Sequence, residues 1–303
     1  MVAIPKRSAK IEEVVSFYLN SDAFARLRGS TQKQYELHLA AALITPVLGQ
    51  KLGQYRAKSF RAKHANLAYA EWLKSGVRTA NYRKAALSSA WKHSMRHDVM
   101  ENDPIRLVRA ETEKQRKIKW TREQVKVFLD VAYSEYKWRS MGLIVHMAFE
   151  WAQRIGDMRV LTWDQLNLDA QRIDLTQSKR GADVHLPISD DLTAILQQQK
   201  TDLGFQPYVA PKPNAVDGVF KPYDINQISP VMNAIKDTAG LPDTITAMDL
   251  RRTAITEMVE AGVDLAGIMQ VSGHNSPESV RPYLVNTFSG ACNALAKRTS
   301  RNE

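Results

Sequence analysis

The chain has 303 residues and a net charge of +10, with 44% hydrophobic and 24% charged residues, a composition ordinary for a globular protein. Its length suits two domains, each large enough to bury a core. A single cysteine, Cys292, excludes an intramolecular disulfide and a cysteine-based metal site, and it favours a reducing compartment. Residues 141–152, the longest apolar run, are too few to cross a membrane, and residues 1–7 show no secretory signal, so a cytoplasmic location is expected.

The positive charge is confined to the first third of the chain. Residues 1–119 hold 23 Lys and Arg against 10 Asp and Glu, whereas residues 120–303 hold 19 against 22. Between Arg56 and Arg96, ten basic residues stand against one acid, Glu71. A surface kept soluble by mixed charges does not need that ratio, but a surface that follows phosphates does. The charge therefore favours nucleic acid as the partner, with a merely solubilising surface as the alternative.

Helical periodicity runs through the first hundred residues. Apolar side chains recur three and four residues apart, and Pro or Gly separates the segments. The four predicted helices span residues 11–20, 30–44, 59–73 and 79–97. No strand pattern occurs here, so a small all-helical bundle is expected. On its fourth helix, Arg83, Lys84 and Lys92 are the candidates for DNA contact, chiefly with phosphates.

A polar, charged stretch at residues 110–119 is predicted to link a first domain, residues 1–109, to a second domain, residues 120–303. The second domain combines helices with three short antiparallel strands. Its helices are predicted at residues 121–133, 138–152, 190–203, 226–239, 249–261 and 264–272, from residue 277 onward, and at 287–298, and its strands at 166–168, 172–175 and 184–188. The predicted fold class is therefore mainly α with a small antiparallel sheet: an N-terminal four-helix bundle and a C-terminal mixed α/β domain.

Five residues spread over the second domain are candidates for chemistry: Arg154, Lys179, Arg251, His274 and Tyr283. Tyrosine can be a covalent nucleophile, arginines can bind phosphate oxygens bidentately, and lysine can protonate a leaving oxygen. Each residue alone is more often structural, in a surface ion pair, in solvent or at a helix cap. Together they favour phosphoryl transfer by positioning and electrostatics. Neither a glycine-rich phosphate loop nor metal-ligand spacing occurs, so no nucleotide cofactor and no metal is expected.

Four motifs in order, and the helical first domain, carry a resemblance to a known family. The motifs are Arg154-Ile155-Gly156-Asp157 with Leu161-Thr162-Trp163-Asp164, Gln177-Ser178-Lys179 with Val184-His185-Leu186-Pro187, Asp249-Leu250-Arg251-Arg252-Thr253, and Gly273-His274 with Tyr283 nine residues later. In these motifs the second domain resembles the tyrosine recombinases, the phage-type integrases and resolvases. The first domain, which ends in Glu101-Asn102-Asp103-Pro104, resembles that family's core-binding domain.

The resemblance implies a role for each candidate. Tyr283 would attack a DNA phosphate and give a 3′-phosphotyrosyl link and a free 5′-hydroxyl. Arg154 and Arg251 would bind the scissile phosphate. Lys179 would protonate the 5′-oxygen leaving group, and His274 would hydrogen-bond the phosphate. Since the covalent link conserves the bond energy, neither ATP nor a metal would be needed.

The resemblance also implies the partners and a supporting residue. Double-stranded DNA attachment sites would be bound by a homo-tetramer, at the nucleoid or in a host cell, and no membrane would be involved. The helix at residues 287–298 would dock on a neighbouring protomer. Asp157 occupies an acidic position that supports the family's active site from behind.

Two positions depart from the family's pattern. The family usually has histidine three residues before the second arginine, where this chain has Met248. A thioether is only a weak acceptor and cannot take the tyrosine's proton, so we hypothesise a weakened but real activity. Pro282 directly precedes Tyr283, and a residue before proline is disfavoured in the helical region, so a break is expected at Arg281.

The sequence favours a site-specific recombinase that integrates or excises a mobile element. One alternative is a type IB topoisomerase-like enzyme, which shares the type of active site and relaxes DNA. A second alternative is a catalytically weak DNA-binding protein of the same fold, which Met248 keeps open.

Overall fold

The computed structural model describes residues 9–114, 116–179, 181–284 and 288–299. The chain divides into two compact units, Met1–Gln115 and Arg116–Glu303. Each unit has its own buried apolar core. Within the described ranges, no helix is both long and apolar enough to cross a membrane.

The first unit is a helical bundle built around its longest helix. Its described α-helices are α1 (Ile11–Leu19), α2 (Asp22–Ala25), α3 (Gly29–Leu43), α4 (Ala62–Leu73) and α5 (Val77–Arg96). Helix α5 packs against α1, α3 and α4. Three alanines on its inner face, Ala80, Ala86 and Ala90, are fully buried and let the neighbouring helices approach closely, and Trp91 fills the centre of the core.

The first unit departs from an all-helical bundle at one point. Two short strands, β1 (Pro46–Val47) and β2 (Gln50–Lys51), pair antiparallel after α3. Gly49 lies in the turn between them at φ +85°. Strands of two residues are too short for an alternating pattern, so no periodicity predicts them.

The second unit combines helices with a three-stranded sheet, as expected. Its described elements are α6 (Arg122–Ser134), α7 (Tyr136–Glu150), α8 (Ile155–Met158), β3 (Leu166–Asn167), β4 (Arg172–Thr176), β5 (Asp183–Pro187), α9 (Asp190–Leu203), α10 (Ile225–Thr238), α11 (Ala247–Glu260), α12 (Leu265–Ser272), α13 (Pro277–Val280) and α14 (Phe288–Thr299). The strands are antiparallel in the order β3-β4-β5. Thr176 pairs with Asp183 at the end of the two strands next to the hairpin turn. Thr287, the expected start of the last helix, lies outside the described residues.

The segment before Tyr283 does not break as expected. Helix α13 ends at Val280, and Arg281–Tyr283 continue as a 3₁₀ turn. Arg281 has φ −45° and ψ −40°, which are helical angles, so the predicted exclusion of this residue from the helical region is wrong. Proline is tolerated in the first turn of a helical segment because its missing N–H has no partner there anyway. Pro282 therefore tightens the turn instead of ending it.

Candidate active site

Helix α11 carries Arg251, which with His274 is the most buried of the described candidates. Its side chain is 7% exposed, and Nη2 donates to Ser272 O at 2.7 Å and lies 3.3 Å from His274 Nε2. Nη1 is buried and has no hydrogen-bond partner among the described residues. Burial, and next the positive charge of Arg154, lower the pKa of Arg251 to about 10, against the opposing effects of Tyr283 and Asp157. With this pKa the guanidinium is still charged at neutral pH. An anion beside it would offset both the cost of burying the charge and the repulsion from Arg154.

Arg154 lies just before α8, where its backbone carbonyl accepts the first helical hydrogen bonds, from Asp157 and Met158. Its side chain is partly exposed, and Nη1 donates to Gln177 Oε1 at 2.7 Å. Asp157 Oδ2 lies 3.8 Å from the same nitrogen. The rest of the guanidinium therefore stays available for a ligand from the solvent side.

A buried amide joins the two arginines. Gln177 is fully buried, and its Nε2 donates to Ser272 O at 2.8 Å and to Gln153 Oε1 at 2.6 Å. Ser272 O also accepts from Arg251, and Gln177 Oε1 accepts from Arg154. One side chain and one carbonyl thus hold both guanidinium groups in a fixed relation. Two cations kept near each other in this way form a ready site for a phosphate.

His274 follows the glycine that ends α12. Gly273 adopts φ 64° and ψ 35°, the left-handed conformation that turns the chain towards Arg251. The Ser272 hydroxyl donates to Ile268 O at 2.5 Å, so it accepts from His274 Nδ1 at 2.7 Å. Nε2 is then the atom that faces Arg251. The histidine is 7% exposed, and the hydrogen bond to Ser272 fixes the orientation of its ring.

Tyr283 is half-buried and packs on this cluster. Its ring centroid lies 5.5 Å from that of His274, at an interplanar angle of 51°. The guanidinium carbon of Arg252 lies 5.6 Å from the centroid of the tyrosine ring. The ring also packs against a small apolar cluster that includes Ile255 and Val280. Four of the five candidates, all but Lys179, therefore lie together.

Lys179 lies in the turn between β4 and β5, with its side chain exposed. Within the described residues no hydrogen bond joins it to either arginine. The turn that carries it is nevertheless anchored to the cluster. Asp157 is 3% exposed, and its Oδ1 accepts from the Ser178 amide at 3.2 Å and from the Ser178 hydroxyl. Asp157 thus ties the lysine's turn to the helix that follows Arg154.

The family model for phage integrases, described as the phage integrase family, matches residues 119–289, which is more than half of the chain. The chain belongs to the phage integrase family. It is a tyrosine recombinase, a DNA breaking-and-rejoining enzyme, and the resemblance inferred from the four motifs is confirmed. The expected fold class is confirmed as well.

Known relatives of this integrase are distant in sequence and close in fold. A tyrosine recombinase XerC of Pediococcus pentosaceus is 22% identical over 217 residues, which cover 68% of this chain and 71% of the relative. A lambda integrase dimer bound to a COC′ core site matches with a TM-score of 0.73 at 17% identity, covering 91% of this chain and 77% of that one. The Tn1549 transposon integrase with circular intermediate DNA matches with a TM-score of 0.72 at 16% identity, covering 95% and 99%.

Met248, where the family usually has histidine, lies at the start of α11 and is 75% exposed. It stands four residues before Arg252, so the two share one side of the helix. The side of α11 that carries the arginine over Tyr283 therefore presents a thioether to solvent where a proton acceptor is usual.

The three candidates for DNA contact do not share a surface of α5. Lys92 is exposed, whereas Arg83 and Lys84 are half-buried and Arg83 Nε is buried. Nine residues amount to two and a half helical turns, so Arg83 and Lys92 lie on opposite sides. The exposed basic residues near the side of Lys92 are Arg78 and Arg96. Sequence reasoning passed over these two, although their spacing from Lys92 already placed them there.

Gln153 and Gln177 are the other site residues that sequence reasoning missed. Both are fully buried, and Gln153 Nε2 donates to Trp151 O at 2.9 Å and to Val271 O at 2.7 Å. The alternation of inward-facing and outward-facing residues along a strand is the pattern that could have identified Gln177. Ile173 and Leu175 of β4 point inward, so residue 177 continues the buried series with a polar side chain. A buried amide at such a position needs partners, and one of those that Gln177 finds is the candidate Arg154.

Proposed function

We propose that this tyrosine recombinase integrates or excises a mobile element by cutting DNA with Tyr283. The observation that carries the proposal is the pair Arg154 and Arg251, held by Gln177 beside Tyr283 and His274. Among the described residues, Arg251 Nη1 has no hydrogen-bond partner, and the positive charges of Arg154 and Arg251 repel each other. An oxyanion between the two guanidiniums would bind to the free nitrogen and offset the repulsion. A scissile phosphate bound there lies next to a phenol and needs no further group to hold its charge.

The chemistry follows from these groups. Tyr283 Oη gives its proton to water, forms a bond to phosphorus, and the bond from phosphorus to O5′ breaks. Lys179 donates a proton to that leaving oxygen, which ends as a free 5′-hydroxyl. The product is a 3′-phosphotyrosyl link, and attack by the 5′-hydroxyl of a second strand restores the DNA and frees the tyrosine. As an imidazolium, with Nδ1–H bonded to Ser272, His274 donates from Nε2 to a non-bridging oxygen.

We propose that residues 1–109 bind the core site and that four copies act together on two sites. The basic surplus of the first 119 residues supports DNA binding. Among the fold relatives, a lambda integrase tetramer bound to a Holliday junction matches with a TM-score of 0.71 at 16% identity, covering 93% of this chain and 81% of that one, which supports the tetramer. The transposon integrase of similar fold supports a mobile element as the substrate.

Met248 favours one variation of this function, a slow enzyme. A thioether cannot accept the tyrosine's proton. Because Met248 is 75% exposed, water is present to accept it in the first step. A protein that only binds DNA is the limiting case of the same observation.

Plasmid assays test the proposal. Two copies of the DNA that flanks this gene are placed on one supercoiled plasmid and incubated with the full chain. The proposal predicts deletion or inversion of the intervening DNA, which depends on both sites. Relaxation without site preference supports a topoisomerase instead, and bound but unchanged plasmid supports a DNA-binding protein.

A further inference from the structure

Residues 116–121, together with Arg122 at the start of α6, form a strap along α11, the helix that carries Arg251. Trp120 is 1% exposed and is its central anchor. Its backbone N–H donates to Thr253 Oγ1 at 2.9 Å, and its indole N–H donates to Thr246 O at 2.9 Å. The strap is therefore fixed to the beginning and the middle of the helix.

Arg116 fixes the strap to the first turn of α11. Its Nε donates to Asp249 Oδ1 at 2.8 Å and its Nη2 to Asp249 Oδ2 at 2.8 Å, a bidentate pair. The same Nη2 reaches Thr244 O. Asp249 is 1% exposed and also caps the helix, because its Oδ2 accepts from the Thr246 amide at 2.9 Å and from the Thr246 hydroxyl at 2.8 Å.

The buried carboxylate of Asp249 depends on its hydrogen-bond partners to offset the cost of burying its charge. Burial alone raises the pKa of this carboxyl, and the bonds from Arg116 and Thr246 more than offset it, so that its pKa is lowered. Among the described residues, Arg116 is the one charged group in hydrogen-bond or ion-pair contact with Asp249. A buried carboxylate that loses its only cation is destabilised, whereas an exposed one is not.

Resting on the proposed function of Arg251, we propose that Arg116 is a positioning residue for strand cleavage, acting through Asp249 on the start of α11. Arg251 lies two residues beyond Asp249, and its guanidinium has to stay within reach of Ser272 and the phosphate. An unwound or shifted first turn moves that guanidinium first. Arg116 is also the first residue of the second unit, so the chain that enters this unit is bound to the active-site helix at once.

The strap offers matched controls on the same helix. Lys119 Nζ lies 3.0 Å from Glu260 Oε1, and Arg122 Nη2 lies 2.8 Å from Glu257 Oε2. Both pairs join the strap to the C-terminal half of α11, and both are more exposed than Asp249. Exposed pairs contribute little, so their loss should leave the first turn unchanged.

Single-turnover cleavage of nicked suicide DNA, with the dissociation constant measured in parallel, tests the proposal in the full chain. Arg116→Ala is expected to cleave at least about tenfold more slowly at unchanged affinity, because misplacing a reacting group by about 1 Å costs up to about a hundredfold. Arg116→Lys keeps the charge without the fork and should fall between Arg116→Ala and the unmodified chain. Lys119→Ala should cleave normally.

The pH profile separates positioning from general destabilisation. Without Arg116, burial is expected to raise the pKa of Asp249, so that protonation at lower pH relieves the unpaired buried charge. The cleavage defect of Arg116→Ala relative to the unmodified chain should therefore shrink as the pH is lowered. Adding Asp249→Asn removes the titrating group, and the double variant should lose this pH-dependent recovery.

Two results would overturn the proposal: equal rates for Arg116→Ala and Lys119→Ala, or a pH profile of Arg116→Ala that Asp249→Asn leaves unchanged. Absence of a covalent adduct with the unmodified chain would instead refute the proposed function itself. The two failures are thus distinguishable.

Discussion

A side chain on Gly273 would collide with Gln177, because a Cβ built there lies 2.5 Å from Gln177 Nε2. Gln177 in turn is the amide that joins Arg154 to the carbonyl bound by Arg251. The glycine before His274 is thus required twice, by its left-handed backbone and by the space that the amide occupies.

Gly273→Ala is expected to lower both stability and cleavage. Left-handed backbone costs a non-glycine residue about 1–2 kcal/mol, and displacement of Gln177 adds to this. Thermal unfolding and single-turnover cleavage are the measurements. Gly240→Ala is the matched control, because Gly240 has φ +66° with open space around its Cα. The control should lose stability by the backbone cost alone and keep its cleavage rate; equal losses in the two variants contradict the account.

Gln177→Leu is expected to slow cleavage more than its effect on stability explains. The change leaves Gln153 Oε1 and Arg154 Nη1 without the hydrogen bonds to Gln177 and leaves Ser272 O with Arg251 alone, and an unsatisfied buried group costs about 1–3 kcal/mol. Gln199→Leu is the control, since Gln199 is 1% exposed and donates to Val209 O away from the arginines. Cleavage measured well below both melting temperatures should fall only for Gln177→Leu. A parallel fall in both would assign Gln177 a purely structural role.

Arg252→Ala is expected to reduce the cleavage rate by about twofold to thirtyfold, from about 0.5–2 kcal/mol for a cation over an aromatic ring. The guanidinium lies over the face of Tyr283 and steadies the nucleophile and its developing charge. Arg281→Ala removes an exposed arginine two residues before Tyr283 and serves as control. Rates from single-turnover cleavage that are the same for both variants would rule out a role for the stacked cation.

Met248→His is expected to accelerate cleavage and phosphotyrosine formation by supplying a proton acceptor on the helix side that carries Arg252. The imidazole acts as an acceptor only when neutral, so the gain should be present above its pKa and vanish as the pH falls through it. Met248→Gln, an uncharged polar control at the same exposed position, should give no such pH-dependent gain. An unchanged rate with histidine refutes the hypothesis that Met248 weakens this enzyme.

Local rules were enough to predict much of this fold. The helix expected at residues 190–203 has those bounds in the structure, and the helix expected from residue 121 begins at Arg122 with Thr121 and Gln124 as its capping box. Both cases depend on neighbours within four residues, which a sequence displays directly. The β1–β2 pair was not predicted, because strands of two residues show no periodicity. The break predicted at Arg281 was wrong, because a 3₁₀ turn accommodates the proline that follows.

The site residues likewise divide into those that local motifs predict and those whose roles depend on contacts between distant parts of the chain. Tyr283, Arg251 and His274 belong to motifs in which the residue types themselves indicate the chemistry. The role of Gln177 follows only from contacts with Gln153 and Ser272, which lie 24 and 95 residues away in the chain. Such contacts exist only once the sheet and α12 have packed together, and no local pattern encodes them.

The most direct test of the central claim is the covalent adduct between Tyr283 and DNA. A nicked suicide oligonucleotide carrying the element's own end is incubated with the full chain, and the adduct is measured on a denaturing gel and mapped by mass spectrometry. Tyr136→Phe is the control, because Tyr136 also lies beneath an arginine, Arg139, in the second unit. The account predicts an adduct on the peptide that contains Tyr283, retained in Tyr136→Phe and lost in Tyr283→Phe. An adduct that persists in Tyr283→Phe, or none with the unmodified chain, would contradict it.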